Sequence, residues 1–167
     1  MEPQYFLKID GIVGESTKIG HKGEIEMDDW SFGETQSGTS HYGTGGAAGR
    51  VSMQDFRFSK RFDRSSPKLM EYCCTGKHVP KATFVAQRTG TIDGKMMDYL
   101  IVTFEDLIFS SYDTNGTGSG DFPRDNISFN FAKVCYEYRQ IDKGKVVDTR
   151  LGGYDIKQSR TYAVRAS

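Results

Sequence analysis

The sequence has few cysteines and no excess of charge of either sign. Its 167 residues include only Cys73, Cys74 and Cys135. An odd number of cysteines without C-x-x-C spacing is not a disulfide framework, so we expect free thiols. Lys plus Arg and Asp plus Glu total 22 each, which gives a formal net charge of zero. This balance argues against a protein that binds nucleic acid phosphates or an anionic membrane surface.

Long apolar runs are also missing from the sequence. No segment approaches the roughly 20 apolar residues that a membrane-spanning helix needs, so we expect no membrane insertion. Residues 1–6 carry no basic cluster and precede no apolar run of signal-peptide length, which predicts a cytoplasmic start. No linker-like change of composition divides the chain, so residues 1–167 are expected to form one domain.

Segments in which apolar and polar residues alternate recur along the chain, separated by turns that contain Gly or Asp. This pattern is typical of β-strands, and it predicts a mostly β fold. The expected strands are residues 5–10, 24–32, 51–61, 82–88, 98–112, 126–138 and 146–156.

Two neighbouring segments change face partway along their length. In the first, Ile25 and Met27 share one face, whereas Trp30 and Phe32 fall on the opposite one. An extra residue or a sharp twist near Asp28 is therefore needed, which we interpret as a β-bulge. The next predicted strand, residues 51–61, shows the same change of face. Neighbouring strands that bend together favour closure of the sheet into a barrel.

The segment 126–138 has one apolar and one polar face. Phe129 and Phe131 alternate with Ser128 and Asn130, as in a sheet with one face on the core and one in water. If Trp30 and Phe32 also face the core, Ser31 faces away from it by the same alternation. The predicted core residues are Trp30, Phe32, Phe129 and Phe131.

One helix is indicated, over residues 67–75. Ser66 can cap its start, Pro67 suits the first helical position, and Gly76 stands where a left-handed terminating residue is favoured. The helix is expected to cover the end or side of the sheet. Its apolar face is predicted to contain Leu69, Met70 and Cys73.

A long Gly-rich loop, residues 33–49, separates the two bent segments. Gly43, Gly45 and Ala48 have the spacing of a dinucleotide fingerprint, but a strand follows where that fingerprint needs a helix. Loops longer than about 12 to 15 residues are more often functional or disordered than plain connections. We therefore favour a protein-docking loop, with a flexible hairpin connection as the alternative. The candidate contact residues are Gly38, Thr39, His41, Tyr42, Gly43, Gly45, Gly46 and Gly49.

No group of residues stands out as a catalytic or metal-binding site. The three histidines are well separated, and the segment from Asp113 imitates a calcium loop but has Arg124 at the position of the bidentate Glu. Cys73 or Cys74 with His78 is the candidate nucleophile pair of a thiol-dependent hydrolase. We expect no enzyme activity, cofactor or metal. The alternatives are a monomeric β-barrel that binds a small ligand or carbohydrate, and a thiol-dependent hydrolase.

Several short segments, taken in order, carry a family resemblance over nearly the whole chain. The strongest is CCTGKHVPKAT at residues 73–83. The others are FLKIDG at 6–11, HKGEI at 21–25, WSFG at 30–33, QSGTSH at 36–41, QDFRFSK at 54–60, NFAKV at 130–134 and GYDIK at 153–157. With these segments the chain resembles Hcp, the hemolysin-coregulated tube protein family of bacterial type VI secretion systems.

This resemblance implies a small, curved antiparallel β-barrel with one lateral α-helix and a long Gly-rich extended loop, with six copies in a ring. Rings would stack into an inner tube that a contractile sheath expels and a spike protein caps. Small effector proteins would occupy the lumen. The chain would be cytoplasmic before firing and secreted afterwards without a signal peptide.

The resemblance also suggests roles for the residues singled out above. The Gly-rich loop would reach from one subunit or ring to the next, which is an assembly role and not a catalytic one. Ser31, Ser128 and Asn130 would line the lumen and contact effectors.

Overall fold

The computed structural model describes residues 4–36, 51–90 and 94–165. Strands dominate these residues, and one helix accompanies them. The elements are β1 (Gln4–Ile9), β2 (Ile25–Met27), β3 (Asp29–Ser31), β4 (Glu34–Gln36), β5 (Val51–Met53), β6 (Phe56–Arg61), α1 (Ser66–Thr75), β7 (Val79–Thr89), β8 (Met96–Asn115), β9 (Arg124–Asp142), β10 (Lys145–Asp155) and β11 (Arg160–Thr161).

The strands form one large antiparallel sheet and a separate two-stranded sheet of β4 and β5. The large sheet runs in the order β11, β10, β9, β8, β7, β1, β2. β9 pairs along its length with β8, and its other edge is shared by β6 near the start and β10 near the end. β3 extends this arrangement by pairing with β6. The mostly β fold that the alternation predicts is confirmed, and so is the antiparallel pairing that the resemblance implies.

The predicted irregularity near Asp28 is present and takes the form of a change of partner. β2 pairs with β1, whereas β3, which begins one residue after Asp28, pairs with β6. Asp28 lies between β2 and β3, and its backbone N–H donates to the Ser59 carbonyl on β6 at 2.9 Å. The predicted closure of the sheet into a barrel is therefore not found, because no ladder joins β2 to β6.

Four phenylalanines form the centre of the core. The Phe56 ring centroid lies 5.6 Å from that of Phe84, 5.0 Å from that of Phe104 and 5.2 Å from that of Phe129. All four side chains are at most 1% exposed. Each belongs to a different strand, so the cluster joins β6, β7, β8 and β9. Burial of one such ring contributes about 1.5 to 3 kcal/mol.

The four residues predicted for the core all contact it, with different burial. Phe129 is 0% exposed and Phe131 is 7% exposed. Trp30 and Phe32 are half-buried and pack against the cluster from its rim. They lie at the rim because β3 is short and the strand pairing changes on both sides of it.

The helix is confirmed, but its start differs from the prediction. α1 begins at Ser66, preceded by Ser65, which makes no side-chain capping hydrogen bond, and Gly76 ends it with a φ of 63°. Ser66 is not the cap, because its hydroxyl donates to the Asp125 carboxylate at 2.5 Å. The predicted apolar face is also partly wrong. Leu69 and Tyr72 are buried, whereas Met70 is 45% exposed because it is turned about 100° from Leu69.

A buried lysine connects the start of the helix to the sheet. The Lys60 ammonium group has no exposed surface and donates to Asp63 at 2.8 Å, to Ser66 at 2.8 Å and to Asp125 at 2.9 Å. Asp125 also accepts hydrogen bonds from Tyr112 and Thr114. A buried charge is tolerated only with such complete pairing, so the network fixes α1 against β6 and β9.

The residues after β10 cross the outer face of the sheet. The Tyr162 N–H donates to the Gly153 carbonyl at 2.9 Å, and the Tyr162 hydroxyl donates to Glu105 at 2.6 Å. Further along, the Val164 N–H donates to the Cys135 sulfur at 3.4 Å. Cys135 is 2% exposed as a result.

We predict that Asp125 makes the fold sensitive to acid. Burial raises the pKa of Asp125, but hydrogen bonds from Ser66 and Lys60 outweigh this and hold the pKa below its usual value. The stabilisation is present above the unfolded pKa of about 3.9 and is lost as pH falls towards the lower folded pKa. Asp125→Asn should lower the thermal unfolding midpoint at neutral pH. Below about pH 4 the midpoint of this variant should fall less steeply with decreasing pH than that of the wild type. The exposed control Asp121→Asn should follow the wild-type curve, and equal acid slopes for wild type and Asp125→Asn would contradict the prediction.

Two adjacent glycines offer a matched test of the C-terminal segment. A Cβ at Gly153 would lie 2.1 Å from the Tyr162 carbonyl oxygen and 2.5 Å from the Val134 carbonyl oxygen on β9, whereas a Cβ at Gly152 meets nothing within 4 Å. Gly153→Ala should therefore cost about 1 to 3 kcal/mol of unfolding free energy and speed alkylation of Cys135. Gly152→Ala should change neither quantity. Denaturant melts and mass-detected alkylation check both, and equal behaviour of the two variants would refute the account.

Candidate functional site

Four strands carry a continuous row of polar residues across the sheet. Ser31 on β3 lies opposite Arg57 on β6, Arg57 lies opposite Ser128 on β9, and Ser128 lies opposite Ser111 on β8. Successive side chains on a strand point to opposite faces, so this row lies away from the phenylalanine cluster. We call the surface of these residues the polar face. A second row extends it through Asp29, Ser59, Asn126 and Asp113.

The polar face contains a shallow groove of about 400 Å³. Charged side chains of both signs border it, among them Arg57, Asp29 and Asp113. Ser31 and Ser128 both line the groove, so the structure brings together two of the three residues predicted to contact a bound protein. A groove with mixed charges and hydroxyl groups suits hydrogen bonding to a polar protein surface.

Ser128 differs from the prediction in its exposure. It is 3% exposed, and its hydroxyl is hydrogen-bonded to the hydroxyls of Ser110, at 2.8 Å, and Ser111. The Ser110 hydroxyl in turn donates to Asp55 at 2.5 Å. The pairing of β8 with β9 shifts between Phe109 and Ser111, which places both serines beside Ser128. Ser128 therefore supports the groove from below, while Ser31 is exposed.

Asn130 lies apart from the groove. It is exposed and borders a second depression with Ile108, Phe131, His78 and Asp106. Hydrogen bonds from Lys157 and His78 hold the pKa of the Asp106 carboxyl below its usual value. Asn130 and Ser31 thus belong to different parts of the surface.

Alternation along the strands could have identified Asp29, which lies next to the predicted core residue Trp30, and likewise Arg57 and Asn126, which lie next to the large apolar residues Phe58 and Ile127. Ser110 could not have been found in this way. Its role depends on the irregular pairing of β8 with β9, and nothing in the local sequence specifies that irregularity.

The eight residues proposed for stacking, from Gly38 to Gly49, lie outside the described residues. At the base of that loop β4 pairs with β5 in the register Glu34 to Met53 and Gln36 to Val51. All three residues of β4 are exposed. The base of the loop therefore presents polar side chains to the surroundings.

The thiols do not form a nucleophile pair with a histidine in the described residues. Cys74 is exposed and its sulfur lies 3.6 Å from that of Met70, whereas the His78 Nδ1 lies 3.0 Å from Asp106. Among residues 4–36, 51–90 and 94–165, no cluster of three His, Cys, Asp or Glu side chains could hold a metal ion. No helix in this part of the chain is both long and apolar enough to cross a membrane.

Comparison with known proteins gives a consistent result. Residues 6–138 match the family model described as type VI secretion system effector, Hcp. The chain is 37% identical to protein hcp1 of Pseudomonas aeruginosa over 161 residues. This alignment covers 95% of this chain and 98% of that protein.

Solved structures agree with the sequence match. Hcp1 of Salmonella typhimurium has a TM-score of 0.78 at 34% identity, covering 96% of this chain and 100% of that one. A type VI secretion system effector of Yersinia pestis has a TM-score of 0.73 at 31% identity, and the match covers 90% of this chain and 98% of that one. Because the family model matches most of the sequence and relatives above 30% identity span nearly all of it, the chain belongs to the Hcp family of type VI secretion proteins.

Proposed function

We propose that this chain is a structural subunit of the type VI secretion inner tube. The observation that carries the proposal is the match to the Hcp family along nearly the full length of the sequence. In this function six copies form a ring, rings stack into a tube, a contractile sheath propels the tube and a spike protein of the VgrG type caps it. The work of such a subunit is assembly and transport, and no catalytic step is assigned to it.

The fold supports an assembly role through its rigidity. Four strands share one phenylalanine cluster, and the Lys60 network joins the helix to the same sheet. A tube under mechanical load needs subunits that keep their shape, and dense packing of this kind resists deformation. The chain would be cytoplasmic before firing and secreted with the tube afterwards.

The polar face is the surface that we assign to the lumen. Its exposed members, including Ser31, Arg57 and Asp29, present hydroxyls and charges of both signs, and the apolar side chains of Trp30, Phe58 and Ile127 also line its groove. Such a surface would hold a small effector by a few hydrogen bonds together with apolar contacts. Asn130 would contact the same lumen from its separate position on β9.

The Gly-rich loop is assigned to contacts between subunits or rings. Glycine permits backbone conformations and close approaches that other residues disfavour, while Thr39, His41 and Tyr42 can supply side-chain contacts. The exposed strand β4 leads into the loop and provides further contact surface.

We predict that deletion of residues 43–46 leaves a folded subunit but weakens tube assembly. Light scattering in dilute solution should give the wild-type protein a mass six times that of one chain, and electron microscopy should show rings and stacks. The deletion should keep the β-sheet circular dichroism and lose the stacks. Deletion of residues 116–119, which lie in the exposed turn between β8 and β9, is the matched control and should stack normally. A wild-type protein that stays monomeric at high concentration would instead favour a ligand-binding β-barrel.

A bulky side chain in the groove should interfere with cargo and spare the ring. Ser31→Trp should form rings of wild-type mass but retain less effector, because the indole fills the groove beside Arg57. Co-purification of effectors with the rings measures this. Ser119→Trp, at an exposed position in the β8–β9 turn, is the control and should retain cargo. Normal effector retention by Ser31→Trp would remove the polar face from the lumen.

A further inference from the structure

One edge of the large sheet is left open along β10. Its inner edge pairs with β9, and its outer edge pairs with β11 only at Tyr154 and Asp155. The Tyr162 N–H extends this cover to Gly153. From Lys145 to Gly152, no strand among the described residues pairs with the outer edge. An open edge carries backbone donors and acceptors that can pair with another strand.

Alternation identifies the backbone groups that point out of this edge. The Gly153 carbonyl points outward, because it accepts the Tyr162 N–H. Counting back in steps of two, the N–H and C=O groups of Leu151 and Thr149 also point outward. The ladder between β10 and β9 is regular from Asp148 to Asp155, so this count holds across the segment.

Asp148 closes the centre of the edge. Its carboxylate accepts the Thr149 N–H at 2.9 Å and the Arg150 Nε–H at 2.8 Å. Both side chains remain accessible, with 41% of Asp148 and 80% of Arg150 exposed. One of the outward donors is thus already bonded within the chain, and the carboxylate that bonds it can rotate away.

The sequence around Thr149 is complementary to itself when two copies run antiparallel. With Thr149 at the centre, Asp148 lies opposite Arg150 of the second copy, and this pair occurs twice. Opposite charges directly across a ladder are stabilising, and like charges are destabilising. A centre at Arg150 would instead place two arginines opposite each other.

We propose that the outer edge of β10 is a latent docking strand whose partner is β10 of a second copy, and that Asp148 gates it. On pairing, the Asp148 carboxylate releases the Thr149 N–H and Arg150 of its own chain and binds Arg150 of the second copy instead. The freed Thr149 N–H then joins the new ladder. The irregular pairing between Val146 and Asp148 ends the regular edge, so the contact is short and weak. This twofold contact goes beyond the proposed ring and does not require it.

A charge exchange tests the pairing directly. Asp148→Lys places Lys opposite Arg, and Arg150→Asp places Asp opposite Asp, so each variant alone should associate about tenfold more weakly than wild type. An equimolar mixture restores opposite charges at both pairs. Sedimentation equilibrium at high concentration should show a doubling of mass for the wild type and the mixture, and no doubling for either variant alone. Lys18→Glu, at an exposed position outside β10, should double like wild type.

A second measurement does not depend on charge. Positions 148 and 150 would face each other in the close, non-hydrogen-bonded pairs of the new ladder, so cysteines there should form disulfides between copies. In a Cys74→Ser background, Asp148→Cys with Arg150→Cys should give a covalent dimer on oxidation, and Asp142→Cys should not.

The outcomes separate this contact from the ring. Absence of doubling in the wild type and the mixture, together with absence of the covalent dimer, overturns the docking strand even if sixfold rings are found. Doubling of a monomer, without rings, supports the docking strand and counts against the tube subunit. Doubling by either charge variant alone to the wild-type extent also overturns the proposed register.

Discussion

The rest of the structure depends on strand β9, because its two faces and both of its edges make different contacts. Its inward residues Phe129 and Phe131 enter the core, while its edges hold β8, β6 and β10 in place. Because one strand does both, the core and the polar face are registered to each other, and a slip of one residue would exchange them. The buried pair of Lys60 and Asp125 fixes the same strand near its start. The position of every outward residue in the groove follows from that register.

How much of the fold can be predicted from the sequence depends on whether the interactions that determine each feature lie within a few residues of it. The β class, the long strands and the helix follow from periodicity and from Pro67 and Gly76, which act within a few residues. The sequence also predicts an irregularity at Asp28, because the apolar residues on either side of it fall on opposite faces. The form of the irregularity is not predictable in this way, because whether a bent strand bulges or changes partner depends on β1 and β6, which are distant in the sequence.

The candidate site shows the same limit at single residues. Alternation places Ser128 on the polar side, and its backbone does lie there, yet its side chain is covered by Ser110 and Ser111. Ser66 has the sequence features of a helix cap, but a buried carboxylate from β9 uses its hydroxyl instead. In both cases a tertiary partner outcompeted the local preference, since a buried polar group gains more from a partner than an exposed one.

The way in which the edges of the sheet are covered or protected connects the fold to its proposed assembly. The end at β2 is held near β6 by a backbone hydrogen bond at Asp28, and the end at β10 is partly covered by β11 and Tyr162. The remaining edge carries charged side chains and an irregular pairing near Val147, the devices that keep exposed strands from uncontrolled association. A subunit of the proposed ring needs such control at high concentration, because any unguarded edge would compete with the ring contacts. Asp148 gives this edge reversible protection, since its carboxylate blocks the Thr149 N–H by a hydrogen bond that a matching strand can replace.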